Sequence, residues 1–382
     1  MNSAGFHRLA KGAREFFSNR PASGRIRRVI STPQQLAAFL PVVRSAAWLA
    51  VDTEADSLHA YPEKVCLIQI STAEGDRLVD PLAGIDLAPF LDALAGRELI
   101  FHAADYDLRL LRKHHEFTPS FIFDTMLAAR LLGERQFGLS SLVKNFLGVT
   151  LDKGSQKADW ARRPLTDKMV AYARNDTHYL KPLEEKLSAQ LRAKSRLAWH
   201  KESCARLIVE CSRPVAVDEE TVWRVKGSSF LDRAALAVLR ELWRWREREA
   251  LAANRPPFFV LTHERLVAIS IAVAEKKPVD HLLPLRLHPR RKDTLFAAIR
   301  VAQSVPPEKF PDKIRHRSLR PSEAEFRRFR ELEKRRDQQA HLLGIDPTII
   351  APKSVLGDLA RDWEKHAPEL MNWQRELLQA KP

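Results

Sequence analysis

LAVDTEAD, residues 49–56, follows an apolar run with three acids. Ala47-Trp48-Leu49-Ala50-Val51 has the composition of a buried strand. Residues two apart on a strand share a face, so Asp52 and Glu54 would stand side by side. Carboxylates that close repel each other, and burial adds to the cost. The stretch alone allows two readings. Either the strand ends at Val51 and the acids are solvated loop, or a cation sits between them.

Working outward, residues 24–103 alternate short β-type runs with turns and a few helices. Strands are expected at 25–31, 47–54, 65–72 (VCLIQIST), 77–80 and 98–103, with AEGD at 73–76 as a hairpin-like connection. Helices are expected at 33–45, 87–95, 106–115 and 124–133, then a long one from about 166 to 208 that Pro182 kinks or breaks. Strands first, then alternation, then helices alone indicate an α/β domain with a mixed sheet.

Beyond a linker at 209–227, two helical segments resemble each other at an offset of 90 residues: RELWRWREREALAANRPPFFVL (240–261) and RELEKRRDQQAHLLGIDPTIIA (330–351). Arg246/Arg336, Ala250/Ala340 and Pro257/Pro347 coincide, and an in-register apolar pattern follows, which favours a duplicated helical domain over chance. Trp243 and Trp245 in the first copy read as core.

At 382 residues the chain has room for two or three domains. No apolar run has the length of a membrane span, and no secretory signal is visible, so no membrane partner is expected. Cys66, Cys204 and Cys211 lack C-x-x-C spacing, which argues against a disulfide framework or zinc site and fits a reducing cytoplasm. The net charge of +15 is uneven: residues 1–30 carry seven Lys/Arg against one acid, 31–215 are near neutral, and 216–382 hold about +8. Basic surface is the electrostatic footprint of a polyanion. Residues 1–23 read as a basic arm or a transit peptide.

If Asp52 and Glu54 hold a metal, further oxygen ligands are needed. FHAADYDLRLL (101–111) offers Asp105 and Asp107 where a strand hands over to a helix, and spacing alone does not choose between them. An acid at a helix start also favours the helix dipole without any metal. MVAYARNDTHYL (169–180) places Tyr172 and Asp176 on one helical face. That pair is either packing or a phenol and a ligand beside a metal. Asp56 reads as loop and Asp124 as a helix cap.

Asp-x-Glu on a strand, a later His-x4-Asp-Leu and Tyr-x3-Asp on a helix resemble the DEDD exonuclease superfamily in its tyrosine-bearing branch. VDTEADSLHAYPEKVCLIQIS, FHAADYDLRLL, FDTMLAARLLG, LDKGSQKADWARRPLT and YARNDTHYLKPL extend the resemblance to the ribonuclease D family across residues 45–185. WRWREREALAANRPPFFVL is similar to the HRDC domain (helicase and RNase D C-terminal), and the second copy looks like a degenerate one. The resemblance implies a ribonuclease H-like exonuclease domain at 24–212, an HRDC domain at 222–305 and a second HRDC-like domain at 318–382. It also implies two divalent ions, Mg²⁺ or Mn²⁺, with Asp52 shared between them, Glu54 and Asp176 completing the first shell, and Asp107 supporting the second. Tyr172 would orient the attacking water. Gln69, His102, Lys153, Gln156 and Trp160 are candidates for substrate contact, although structural roles suit His102 and His178 better.

The expected activity is 3′→5′ exoribonucleolysis giving nucleoside 5′-monophosphates, with tRNA precursors bearing single-stranded 3′ ends as substrates and no obligate protein partner. A DNA exonuclease and a catalytically silent RNA-binding scaffold are the alternatives. No Gly-rich turn follows the first strand, which excludes a dinucleotide-binding enzyme. Deleting 216–382 is expected to weaken RNA binding, flatten its salt dependence and largely keep the chemistry on short oligonucleotides.

Overall fold

A computed structural model describes residues 29–152, 154–214, 218–314 and 321–379. Residues 1–23 and Lys153 lie outside them. Six strands form one mixed sheet: β1 (Val29–Ile30), β2 (Leu49–Ala55), β3 (Val65–Thr72), β4 (Gly75–Val79), β5 (Glu98–Phe101) and β6 (Phe121–Asp124), in the order β1-β4-β3-β2-β5-β6. Central β2 runs antiparallel to β3 and parallel to β5. The hairpin between β3 and β4 turns through Gly75, whose φ of 107° disfavours any residue with a Cβ. β6 is absent from the sequence expectations because FIFD is too short to show a period of two and runs directly into a helix.

All eight β3 residues are buried, since helices cover both faces of the sheet. On one face α1 (Pro33–Ser45), α2 (Ala88–Ala95), α3 (Asp105–His115) and a later helix enclose Val51, Ile68, Ile70, Phe90 and Leu111. The other face carries α4 (Thr125–Leu132), α5 (Leu139–Leu142), α6 (Asp167–His178) and α7 (Leu180–Ala193). α8 (Leu197–Ser212) returns to the first face and packs on α3 and β6.

The expected long helix from 166 to 208 is therefore three helices. A proline ring clashes with the carbonyl four residues back, so Pro182 is incompatible with a helix running through His178. The first break falls at Tyr179 and leaves Pro182 in the tolerant first turn of α7. The second falls at Ser195, which adopts a left-handed φ of 57°.

Two helical units follow, and their internal repeat is structural. α9 (Arg233–Ala253) and α10 (Pro257–Val260) match α13 (Glu323–Leu343) and α14 (Pro347–Ile350) at the offset of 90. α11 (His263–Ala274) and α12 (Pro289–Gln303) complete the first unit; α15 (Lys353–Arg361), α16 (Trp363–His366) and α17 (Asn372–Gln379) complete the second. Each long helix ends in a left-handed cap, Asn254 or Gly344. Each also buries an arginine: Arg246 donates to the Leu261 carbonyl and pairs with Glu247, while Arg336 donates to the Ala351 carbonyl and pairs with Asp337. A buried guanidinium is costly unless satisfied, and both copies satisfy it in the same way. Trp245 is core, its indole N–H donating to Thr294 at 2.9 Å.

The second unit is fused to the sheet domain. Leu332, Ile345, Ile350, Leu356 and Trp373 belong to the same apolar cluster as Ala50, Ile100, Leu131 and Leu183. Trp199 of α8 stacks on Trp373 with centroids 5.1 Å apart. Arg196 is buried and donates to the carbonyls of Leu131 and Leu343, at the C-terminal ends of α4 and α13, both at 2.6 Å. Deleting 216–382 would strip one side of this shared core, which argues against the expectation that the chemistry on short oligonucleotides is largely kept. The first unit has its own core and touches the sheet domain through Tyr61, whose ring packs on that core and whose hydroxyl donates to Glu247. Among the described residues no helix is long and apolar enough to cross a membrane.

Candidate active site

β2 does not end at Val51. It continues through Ala55, which sets Asp52 and Glu54 side by side and half-buried instead of in a solvated loop. Asp56 is fully buried away from them, accepting the Lys64 backbone N–H and pairing with its ammonium. α3 resolves the choice between its two acids. Asp105 is exposed and paired with Arg109, whereas Asp107 is buried and accepts from the Thr53 N–H at 3.0 Å and the Thr53 hydroxyl at 2.5 Å. α6 lies over β2 and β3 and brings in Tyr172 and Asp176.

Oxygens of Asp52, Glu54 and Asp176 all lie within 4.8 Å of one another. Together with Asp107, Tyr172 and His102 they line a cavity of about 430 Å³. Gln156 is on its wall. Two other substrate-contact candidates fail on exposure. Gln69 is 0% exposed beneath α6, and Trp160 is 1% exposed with its ring 6.0 Å from that of Tyr172, which it supports from behind. His102 is held by Thr125 at 2.9 Å. Thr53, Tyr106, Ser140 and Asp152 join the lining without having been singled out in the sequence. Only Thr53, between the two acids of DTE, carried a positional hint.

The charges that act most on these acids are one another. Burial, then repulsion from Asp107, Asp176 and Glu54, drives Asp52 well above the usual carboxylate range. Burial and Asp176 push Glu54 up to about 9. Burial lifts Asp107 and Asp176 to about 7 each. Among the described residues no Lys, Arg or His forms an ion pair with Asp52, Glu54, Asp107 or Asp176. Such a set is electrostatically incomplete, and hard oxygen donors suit a hard divalent cation. Gln69, the cross-strand neighbour of Asp52, has both amide atoms buried without a partner, which fits a hydrated ion nearby. Burial and the same acids raise the Tyr172 phenol, so it keeps its proton at neutral pH.

Behind the cleft, Asp76 of β4 anchors α6. Arg174 and His178 donate to it at 2.8 and 3.0 Å, as does Ser71, which also bonds Thr177. Burial would raise Asp76, but His178, Arg174 and Ser71 hold it down at about 2. Its stabilisation is thus present above its ordinary pKa and lost as pH falls toward 2. Asp76→Asn is expected to cost about 1–2 kcal/mol at pH 7. It should also lower kcat roughly tenfold with little change in KM, because α6 positions Tyr172 and Asp176. Thermal melts and steady-state kinetics check both.

Residues 27–192 match the pattern of a 3′–5′ exonuclease family, and residues 235–280 match the HRDC domain. Ribonuclease D of Pseudomonas paraeruginosa is 31% identical over 353 residues, covering 88% of this chain and 91% of that protein. The chain belongs to the ribonuclease D family. It is accordingly a hydrolytic 3′→5′ exoribonuclease. Ribonuclease D of Granulibacter bethesdensis is 29% identical, covering 91% of this chain and 90% of that protein. Among solved structures, Escherichia coli RNase D, described as an exoribonuclease involved in structured RNA processing, superposes with a TM-score of 0.69 at 26% identity, over 93% of this chain and 99% of that one. A protein from Bifidobacterium adolescentis gives a TM-score of 0.79 at 25% identity, over 92% of this chain and 94% of that one.

Proposed function

We propose that Asp52, Glu54, Asp107 and Asp176 hold two divalent cations, Mg²⁺ or Mn²⁺, at which this ribonuclease D-family chain removes nucleoside 5′-monophosphates from RNA 3′ ends. The observation that carries this is the convergence of three carboxylates within 4.8 Å, with no Lys, Arg or His ion-paired to them among the described residues. Asp52, at the centre of the mutual repulsion, would be shared between them; Glu54 and Asp176 would hold one with it, and Asp107, fixed by Thr53, would help hold the other. When bound, the cations lower the pKa of the attacking water and offset charge on the attacking and leaving oxygens.

The remaining steps belong to the protein. Tyr172 keeps its phenolic proton and orients the attacking water by hydrogen bonding. Trp160 fixes that ring from behind. Asp76, through Arg174 and His178, holds α6 so that Tyr172 and Asp176 face Asp52. His102, whose pKa burial lowers, stays neutral on the cleft wall, and Gln156 contacts the sugar-phosphate of the terminal nucleotide.

The substrates we favour are structured precursors such as those of tRNA, with single-stranded 3′ ends. The excess of basic residues in 216–382 would draw the RNA body to the helical units. The second unit reads as a diverged HRDC domain, given its repeated arginine and cap. Three buried free cysteines suit the reducing cytoplasm in which we place the chain. Time courses with Mg²⁺ or Mn²⁺ on matched 3′- and 5′-labelled RNA and DNA strands test this reading. Early mononucleotide release from the 3′ label with a shrinking 5′-labelled RNA ladder is expected. Preference for DNA overturns the substrate assignment, and binding without cleavage overturns catalysis.

A further inference from the structure

A second cavity, about 680 Å³, opens where the sheet domain meets the second helical unit. Its walls include Arg130, Arg135 and Phe137 on one side and His341 on the other. Phe137 is 39% exposed, and the Arg130 guanidinium sits 5.7 Å from its ring centre. Among the described residues neither Arg130 nor Arg135 forms an ion pair or a hydrogen bond. Glu134 and Asp346 also line the cavity; Asp346 caps its own helix through Thr348, and those hydrogen bonds, with the nearby charges of Arg130 and Arg336, hold its carboxyl below the usual range. A part-exposed aromatic ring beside two guanidiniums, one of them over that ring and both free of ion pairs and hydrogen bonds among the described residues, is the composition of a stacking platform with phosphate donors.

Its place along the chain links it to the catalytic cleft. Phe137 lines this cavity, and the next three residues, Gly138, Leu139 and Ser140, line the cleft of Asp52. The junction is also rigid. Arg196 clamps the carbonyl ends of α4 and α13, and the caps Gly133 and Gly344 abut so closely that a Cβ on Gly133 would lie 2.0 Å from the Gly344 carbonyl oxygen. The platform is thus preformed, which limits the ordering cost of binding a flexible strand.

We propose that this junction cavity is an upstream subsite for single-stranded RNA: a nucleotide 5′ of the reacting end stacks on Phe137 while Arg130 and Arg135 take its phosphates. The subsite rests on the exonuclease reading above and explains why the second helical unit is fused in place, since a mobile unit would not keep one wall of the subsite in register with the cleft.

The test is a KM series on unstructured RNA from the dinucleotide to roughly ten nucleotides, with the full-length wild type, Phe137→Ala, Phe137→Trp and Arg130→Gln/Arg135→Gln. In the wild type, KM should drop once the strand is long enough to reach the cavity. Phe137→Ala and the double Arg variant should each erase that drop by about tenfold, whereas Phe137→Trp retains it. The double Arg variant should in addition flatten the salt dependence of KM on long RNA. An unchanged length advantage in variants that melt like the wild type overturns the subsite, as does a wild type with no length advantage. If the wild type cleaves RNA of no length, it is the exonuclease reading that has failed.

Discussion

Asp52→Asn is expected to abolish turnover, with a fall on the order of 10³-fold or more, yet the metal-free variant should melt no lower than the wild type and at pH 8 should melt higher. The two halves of this result have one cause. Asp52 receives the repulsion of Asp107, Asp176 and Glu54 in a buried setting, so an uncharged amide relieves the metal-free cleft while removing the ligand shared by both proposed ions. Most changes at buried polar positions destabilise. A gain in stability with loss of activity is therefore specific to a carboxylate retained for binding a cation. Kinetics and melts in chelator, on the same preparation, check it. A variant that keeps wild-type turnover would remove the ligand assignment.

Trp199→Ala should destabilise the sheet domain and the second helical unit together, by about 3 kcal/mol, which corresponds to roughly 6 °C in melting temperature. Trp199 stacks on Trp373 across the junction, beside the arginine that caps helices from both sides. Phe258, 47% exposed on the first helical unit, provides the contrast, and Phe258→Ala should leave the melting temperature unchanged. Exonuclease activity on a dinucleotide should be lost in the same transition as helicity. By the same reasoning, a fragment ending near residue 213 exposes Leu131 and Leu183 and aggregates. A soluble, active fragment of that length would contradict the shared core.

The sequence made legible whatever repeats at short range. The apolar run into Asp52, the helical spacing of Tyr172 and Asp176, and the 90-residue echo of Arg246 in Arg336 all survive in three dimensions. The resemblance selected Asp107, and its contact with Thr53 shows why: only that acid turns inward, whereas Asp105 is claimed by Arg109. Exposure was not legible. Gln69 and Trp160 sit within the matching motifs, but helices on both faces of β3 cover Gln69 and the packing of α6 covers Trp160, so neither lies open to a substrate. β6 was too short to show a period. The fusion of the second helical unit was hidden because its apolar residues read equally well as the core of an independent domain, and Arg196, which ties the junction, looks in sequence like any exposed basic residue. Asp76 escaped notice for a similar reason: its partners lie about a hundred positions away.

If cations offset the repulsion of the carboxylates, the melting temperature measured with and without Mg²⁺ must depend on pH between 5 and 8. Folded-state pKa values of about 7 for Asp107 and Asp176 and about 9 for Glu54 lie above the ordinary value near 4. The folded, metal-free site therefore binds more protons than the unfolded chain, and its stability falls as pH rises through that window. Protons and Mg²⁺ compete for the same oxygens, so the Mg²⁺-dependent rise should be negligible at pH 5. At pH 8 it should reach about 2.7 kcal/mol at a hundredfold excess over Kd, roughly 5–10 °C. Asp52→Asn should abolish the rise. A rise that is the same at both pH values, or that survives in Asp52→Asn, would mean that these carboxylates do not hold the cation.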